Sequence, residues 1–578
     1  MSHLRRMFAV VALALVVAPL LASAPLFDPD EGLHAAIAQE MVQRGDYLTP
    51  TFRGEPFLDK PILFFWAEAV SLRLFGANAT AVRVPPLLFG LFGMLTVALL
   101  GRALFDESAG LMAGIVYGTM LLPMGVSQVA VHDVGVVPFM CIAALCLVHT
   151  DLAASAPTPP NLPPKGGGGR MGLVVSAFGR RIWINAVVAG VALGLSILTK
   201  GLVGIVFTGI FAFCLAVRRP SNLVRLAIVL VVAVVIALLV AAPWYIAMER
   251  AHPGYLHYYF VERHLQGYLT ATQRHAGRPF WYYVPIVLGG ALPWTAYLVG
   301  ALRFAWPAEA LAKAAQGFGE ASERRALRNV LWGWVGVGLV FLSIAESKLV
   351  TYALPLFTAL ALIIGEYFSR IFRLEAETTG VLFRFAFVVH ALALALLPLA
   401  GLVLLVVKFA DMPRLLWAIV VVLGVEILRT AWRALRSPSD STIVQDIVRM
   451  SLIAVIALMF VAPRAAAWMT SRDLAATLNT AGTLPPRVRV LDERLGSLVF
   501  YLDPPLRAQA TADRVDTASF SEMLTALRRD PPDAVFAVRN HQLPRFNRMF
   551  PSPPAPDARA GTFTLFRADT LRAASGAR

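Results

Sequence analysis

Apolar runs of about 20 residues recur along this chain, and each is long enough to cross a bilayer as a helix. The 578 residues are 58% hydrophobic and only 15% charged, with a mean hydropathy of +0.67. Those values exclude a water-soluble globular protein. A formal charge of +15 does not point to nucleic acid, because most basic residues fall in short loops between apolar runs. There they orient a membrane protein by favouring the cytoplasmic side. Cys141, Cys146 and Cys214 all lie inside apolar runs and read as packing residues, so no disulfide framework is expected.

About thirteen spans are expected. Arg5-Arg6, an apolar run and Ala22-Ser23-Ala24 resemble a secretory signal and its cleavage site. The run Met7 to Phe27 is nevertheless long enough to span and is read as a retained helix, with the N-terminus cytoplasmic. Span two runs from about Pro85 to Leu100 and span three from Ala109 to Met124. Span four starts just after His132-Asp133. Spans five and six run from Ile184 to Val217, broken at Thr199-Lys200-Gly201, and span seven ends near Pro243-Trp244. Span eight follows an aromatic loop, span nine ends at Glu346-Ser347-Lys348, span ten returns to Arg370 and Arg373, and three more cover Val381 to Val461. Basic loops holding Arg102, Lys165, Arg170, Arg180, Arg181, Arg218, Arg219, Arg303, Lys313, Arg324, Arg325 and Arg328 are assigned to the inside. The Pro- and Gly-rich stretch 157–169 reads as a flexible linker.

This map predicts two domains. Residues 1–463 form a polytopic helical membrane domain with external loops 28–84 and 245–279. Residues 464–578 alternate strand-like runs (Val488–Leu491, Ala534–Val538, Thr562–Phe566) with a helical stretch around Phe520 to Arg529, as a small α/β domain outside the membrane does. Asp30, Glu31, Asp59, Lys60, Asp133, Lys200, His264 and Lys348 then share the external face. Charged groups near the hydrocarbon boundary are expensive and are retained for a role. Lysines offer compact charge to a phosphate, and a carboxylate can orient a sugar hydroxyl or take its proton. No phosphate-binding Gly-rich loop of the Gly-x-x-x-x-Gly-Lys-Ser/Thr kind is present, so the activated group is expected on a lipid carrier. Structural readings stand beside these. Asp28 is well placed to cap a helix that begins at Asp30-Glu31, Lys60 could snorkel, Asp133 could cap its span, and the aromatic loop could be an interfacial belt.

Asp30-Glu31-Gly32, Asp46-Tyr47, Asp59-Lys60-Pro61 and Trp66 resemble the first external loop of the bacterial aminoarabinose transferase and protein O-mannosyltransferase superfamily. So do His132-Asp133, Leu198-Thr199-Lys200-Gly201, Pro243-Trp244-Tyr245, Tyr259 to His264, Pro279 to Tyr283, Pro293-Trp294 and Ser347 to Tyr352, in that order over roughly residues 28 to 366. The resemblance implies a GT-C glycosyltransferase: an α-helical polytopic membrane protein with a small C-terminal α/β periplasmic domain, in the bacterial inner membrane. It would move a sugar, with inversion, from polyprenyl (undecaprenyl) phosphate to an envelope acceptor that is lipid A-like, protein or glycan. It implies catalytic roles for Asp30 and Asp133 and carrier-phosphate binding by Lys60 and Lys200; Glu31 is read as a further catalytic candidate, and Lys348, Tyr352 and Tyr259 as further substrate-binding ones. No cofactor is implied as required; the one candidate is a divalent metal, zinc, on Asp59 and His264. Two positions depart from the pattern. Asp59 stands where glutamate is common, and Gln266-Gly267-Tyr268 lacks an arginine often found after the histidine. A flippase or transporter of lipid-linked sugars is the alternative. It should place polar residues near span midpoints, where this chain has few.

Overall fold

The computed structural model describes residues 2–22, 24–153, 168–270, 277–305, 320–372, 380–409, 413–436 and 440–575. Stretch 154–167, which holds most of the expected linker, and Lys165, Lys313 and Arg373 lie outside the described residues. By length and composition, nine helices among the described residues can cross a membrane. A tenth span is broken: Phe280–Gly290 and Trp294–Leu302 meet at 108°. Three more apolar segments pack among these, namely α1 (Ser2–Ala22), α5 (Glu107–Thr119) continued by α6 (Leu121–Val126), and Val203–Arg218. The thirteen runs in the sequence therefore each correspond to a helix or a helical pair.

The first loop is not irregular. After α1 it holds α2 (Asp30–Arg44), a hairpin of β1 (Thr51–Phe52) and β2 (Glu55–Pro56), and α3 (Leu63–Phe75), before α4 (Ala79–Leu104) enters the bundle. Helix α2 stops at Gly45, whose left-handed φ of 68° returns its N–H to Met41. Helix α4 starts at Asn78, whose side chain accepts from the Ala81 N–H. Asp106 caps α5 in the same way.

The bundle continues through α7 (Val136–Ala153), α8 (Gly168–Lys200), α9 (Val203–Arg218) and α10 (Leu223–Ala251). Two expected ends move. Helix α10 passes through Pro243 to Ala251, with Trp244 and Tyr245 buried against the neighbouring loop. The last membrane helix, Asp440–Met469, likewise passes Pro463, so the C-terminal domain starts after Met469. In both places packing of the flanking side chains outweighs the one backbone donor that proline lacks.

That domain is a five-stranded sheet ordered β4-β3-β5-β7-β6. Strands β3 (Val488–Leu491), β4 (Val515–Ala518) and β5 (Val535–Arg539) are parallel, while β6 (Ala558–Ala560) and β7 (Phe563–Arg567) complete it antiparallel. A core of Leu491, Phe520, Met523, Phe536, Val538, Phe546 and Phe566 covers one face. Leu474, Leu478, Val488, Val490, Leu498 and Phe500 belong instead to the large core that continues into the membrane helices.

The two ends of the bundle differ. At one end ion pairs tie helix ends together: Arg5–Glu107 at 2.6 Å, Arg324–Asp106 at 2.9 Å, Arg218–Asp151 at 2.7 Å and Arg328–Glu366 at 2.7 Å. The last two pairs are largely buried. The first loop, the C-terminal domain and the polar cluster described next share the other end.

Candidate active site

Four separate stretches bring charged groups together there. Asp133 lies in the short 3-10 turn His132–Gly135 that opens α7. Lys200 is the last residue of α8, where a cation suits the negative end of the helix. Gly201 ends α8 with a φ of +84°, and its N–H returns to Ile197. Lys60 precedes Pro61, which confines it to extended backbone. Tyr352 lies in the 3-10 turn Val350–Ala353.

Lys200 pairs with Asp133, and its ammonium stands 4.6 Å from the centre of the Tyr352 ring. Lys60 lies in the same field, with Lys200, Asp133, Arg263 and Asp59 around it. Burial, then the neighbouring Lys200, lowers its pKa to about 8. Two lysines held in mutual repulsion in a partly dehydrated cluster favour any ligand that brings negative charge.

Asp30 and Glu31 are successive residues on α2, about 100° apart around its axis, and they part company. Asp30 is exposed, with no hydrogen bond or ion pair to the described residues. Its charge is felt by His34 one turn on and by Tyr352. Glu31 is fully buried; it pairs with Arg83 through both oxygens, at 2.8 and 2.6 Å, and accepts from the Phe27 N–H. The catalytic role expected of Glu31 is therefore corrected to a structural one.

Two substrate-binding expectations also fail on geometry. Lys348 is 4% exposed, and its ammonium is hydrogen-bonded to the Ala345 carbonyl, just past the end of helix Glu320–Ile344. Tyr259 is 1% exposed inside a ring cluster with Tyr245, Tyr255, Phe260 and His264. The first completes a helix end and the second packs a core. Asp28 does not cap α2 either; its carboxylate accepts from the backbone and hydroxyl of Ser497 in the C-terminal domain.

The Asp59 and His264 pair does not fit a metal. Asp59 already accepts from Tyr258 through one oxygen and from Arg263 at 2.9 Å through the other. His264 Nδ1 lies 2.7 Å from the Tyr259 carbonyl, which leaves one ring nitrogen. Among the described residues, no three His, Cys, Asp or Glu side chains group as metal ligands do. What His264 does touch is the Lys200 turn. A β-carbon at Gly201 would lie 2.5 Å from His264 Nε2 and 3.0 Å from the Tyr259 hydroxyl, so only glycine lets the segment His257–Gln266 close on the end of α8.

Three contributors were not singled out from sequence. Arg263 is a third cation beside the lysines, inside a motif whose histidine drew the attention. His34 and His132 lie beneath the cluster with rings 4.5 Å apart. His34 Nδ1 meets the Ala130 carbonyl at 2.8 Å, and burial lowers the pKa of that imidazole. A histidine on an apolar helix face carries no signal that would separate it from core.

The whole is a many-helix bundle with lysines and carboxylates at one end, roofed by a small sheet domain. The crystal structure of ArnT from Cupriavidus metallidurans bound to undecaprenyl phosphate superposes with a TM-score of 0.69 over 98% of both chains. At 21% identity that likeness is one of fold. The family model for dolichyl-phosphate-mannose-protein mannosyltransferases matches residues 59–152. The undecaprenyl phosphate-alpha-4-amino-4-deoxy-L-arabinose arabinosyl transferase of Enterobacter sp. (strain 638) is 30% identical over 351 residues, 60% of this chain and 56% of the relative. That of Erwinia tasmaniensis is 32% identical over 345 residues, 59% and 55%. The matched region thus spans little more than half the length of these curated relatives. By sequence the chain is similar to these aminoarabinose transferases and, over residues 59–152, to the dolichyl-phosphate-mannose-protein mannosyltransferases.

Proposed function

We propose that this protein is an inverting glycosyltransferase. It takes a sugar from a polyprenyl phosphate, undecaprenyl phosphate, and attaches it to an envelope acceptor at the periplasmic face of the inner membrane. The observation that carries this reading is the convergence of Lys60 and Lys200 with Asp133 beside an exposed Asp30 that has no ion pair among the described residues. The relatives' names supply the first donor to test, a 4-amino-4-deoxy-L-arabinosyl phospholipid, and a lipid A-like acceptor. The basic helix ends at the opposite pole support a cytoplasmic N-terminus and a periplasmic C-terminal domain.

The two lysines hold the carrier phosphate and stabilise the charge that grows on it as the anomeric bond breaks. Asp133 keeps Lys200 in place and faces the sugar. Asp30 accepts the proton of an attacking hydroxyl, whereas a phosphate acceptor is already anionic and would only be oriented by it. Displacement from the face opposite the phosphate inverts the anomeric carbon. Phosphate is a sufficient leaving group without a metal, so transfer should persist in EDTA.

The test follows sugar release from radiolabelled polyprenyl-phosphate sugars by purified protein. Release by wild type, lost in Asp30→Asn and Lys60→Ala with folded protein retained, is expected. Near-normal release by Asp30→Asn would sink its role. Tight carrier binding without release, whatever the acceptor, would turn the reading to a flippase.

A further inference from the structure

Among the described residues a large cavity lies apart from the lysine site. A space of about 920 Å³ opens between the first loop and the C-terminal domain, walled by Pro29 and the β1–β2 hairpin on one side and by Trp468, Arg494 and Arg539 on the other. Its size is that of a small-molecule site.

Its position in the sheet has a physical logic. The chain leaves β3 to form β4 on one side of it, then returns to form β5 on the other side. The segments leaving the carboxyl ends of β3 and β5 diverge, which opens a crevice where α/β sheets bind ligands. Residues 492–496 after β3, Ser519 after β4 and Arg539 with His541 at the end of β5 all line the cavity.

Strain points to the same place. Among the described residues only two non-glycines take positive φ, Arg53 at 56° and Asp492 at 49°, and both line this cavity. Arg53 shares a two-residue hairpin turn with Gly54 at 83°, a position that asparagine or glycine fills with less strain. Arginine there brings its guanidinium to the Val515 carbonyl at the start of β4. Arg539 is 2% exposed and paired with Glu493 at 2.8 Å, and its Nη2 has no partner among the described residues.

The lining chooses among ligands. Arg53, Arg494 and Arg539 are matched by Asp492, Glu493 and Glu522, so no net positive field exists to hold a polyanion. Paired carboxylate and guanidinium groups suit neighbouring hydroxyls. Trp468, tilted against His541 at 5.2 Å, and Phe57 on the opposite wall offer apolar faces for the C–H side of a sugar ring. The wall ends at Pro29, one residue before Asp30. We infer that this cavity seats an uncharged saccharide portion of the acceptor, between the C-terminal domain and the transfer centre. The inference rests on the transferase reading only for the word acceptor; saccharide binding stands apart from it.

Full-length protein in nanodiscs, probed by saturation-transfer NMR with maltose and chitobiose, tests this. At least one disaccharide should bind, inorganic phosphate should not compete, and Trp468→Ala and Arg494→Ala should each weaken binding about tenfold. Trp468→Phe should restore most of it, which a mere loss of folding would not allow. Binding of neither disaccharide, equal binding by both alanine variants, or displacement by phosphate would overturn the assignment. Lys60→Ala reports on the other reading: it should lose undecaprenyl phosphate and keep the saccharide. Saccharide binding with no sugar release by wild type would remove the transferase and leave this site.

Discussion

Lys60 is an ammonium whose folded pKa is depressed to about 8, first by burial and then by Lys200. It is charged below that value and loses its charge as the pH rises through it. Affinity for undecaprenyl phosphate should therefore hold to about pH 8 and then fall by roughly tenfold, the value of one charge-assisted hydrogen bond. In Lys60→Arg the fall should vanish. A pH series of equilibrium binding from 6.5 to 9.5 reads both, and an unchanged slope in the arginine variant would remove Lys60 from the phosphate site. Its contrast is Glu31, whose neighbour Asp30 carries the proposed chemistry. Glu31→Gln leaves Arg83 buried without its counter-charge, so stability should drop by about 3 kcal/mol or more. Thermal unfolding should show that loss, while the protein that remains folded should still release sugar.

Between elements, close approach is set by glycine. A β-carbon on Gly496 would lie 2.1 Å from the Leu33 nitrogen, and one on Gly32 would lie 2.3 Å from the Ser497 nitrogen. Helix α2 and the helix Gly496–Tyr501 thus cross backbone to backbone, with no side chain between them. Gly496→Ala should force them apart. Limited proteolysis should then cut between Met469 and Val488 in the variant and not in wild type. Unchanged resistance would mean that the contact does not hold the domain. The same reasoning explains why the lysine turn survives: Gly201 is where α8 meets His264, and a larger residue there would pull Lys200 away from its partners.

Over the whole molecule the C-terminal domain is fastened to the first loop through Asp28, buried and bonded to Ser497. Burial raises its pKa from 3.8 to about 7, against the opposing hydrogen bonds of Ser497. An acid with a raised folded pKa stabilises the folded junction fully below the unfolded value, and that contribution is lost as the pH rises through about 7. Amide protection factors at Gly496–Tyr501 should therefore fall between pH 5 and pH 8, and Asp28→Asn should flatten the profile. A protection factor that rises over that range would reverse the sign and sink the account.

Hydropathy and charge are properties of short segments, so the amino-acid sequence alone determined the helical runs and which of their ends carry the arginines. For the same reason it placed Lys60, Asp133 and Lys200 at one end. It could not separate Asp30 from Glu31, because the decision lies with Arg83, 52 residues away. Nor could it show that Lys348 closes a helix end or that Tyr259 is core, since both depend on neighbours brought in by other helices. Proline marked false ends at Pro243 and Pro463, where packing carries the helix through. The cavity was invisible for the strongest form of that reason: Asp28 meets Ser497 across 469 residues, and a space between two such distant walls exists only once the chain has folded.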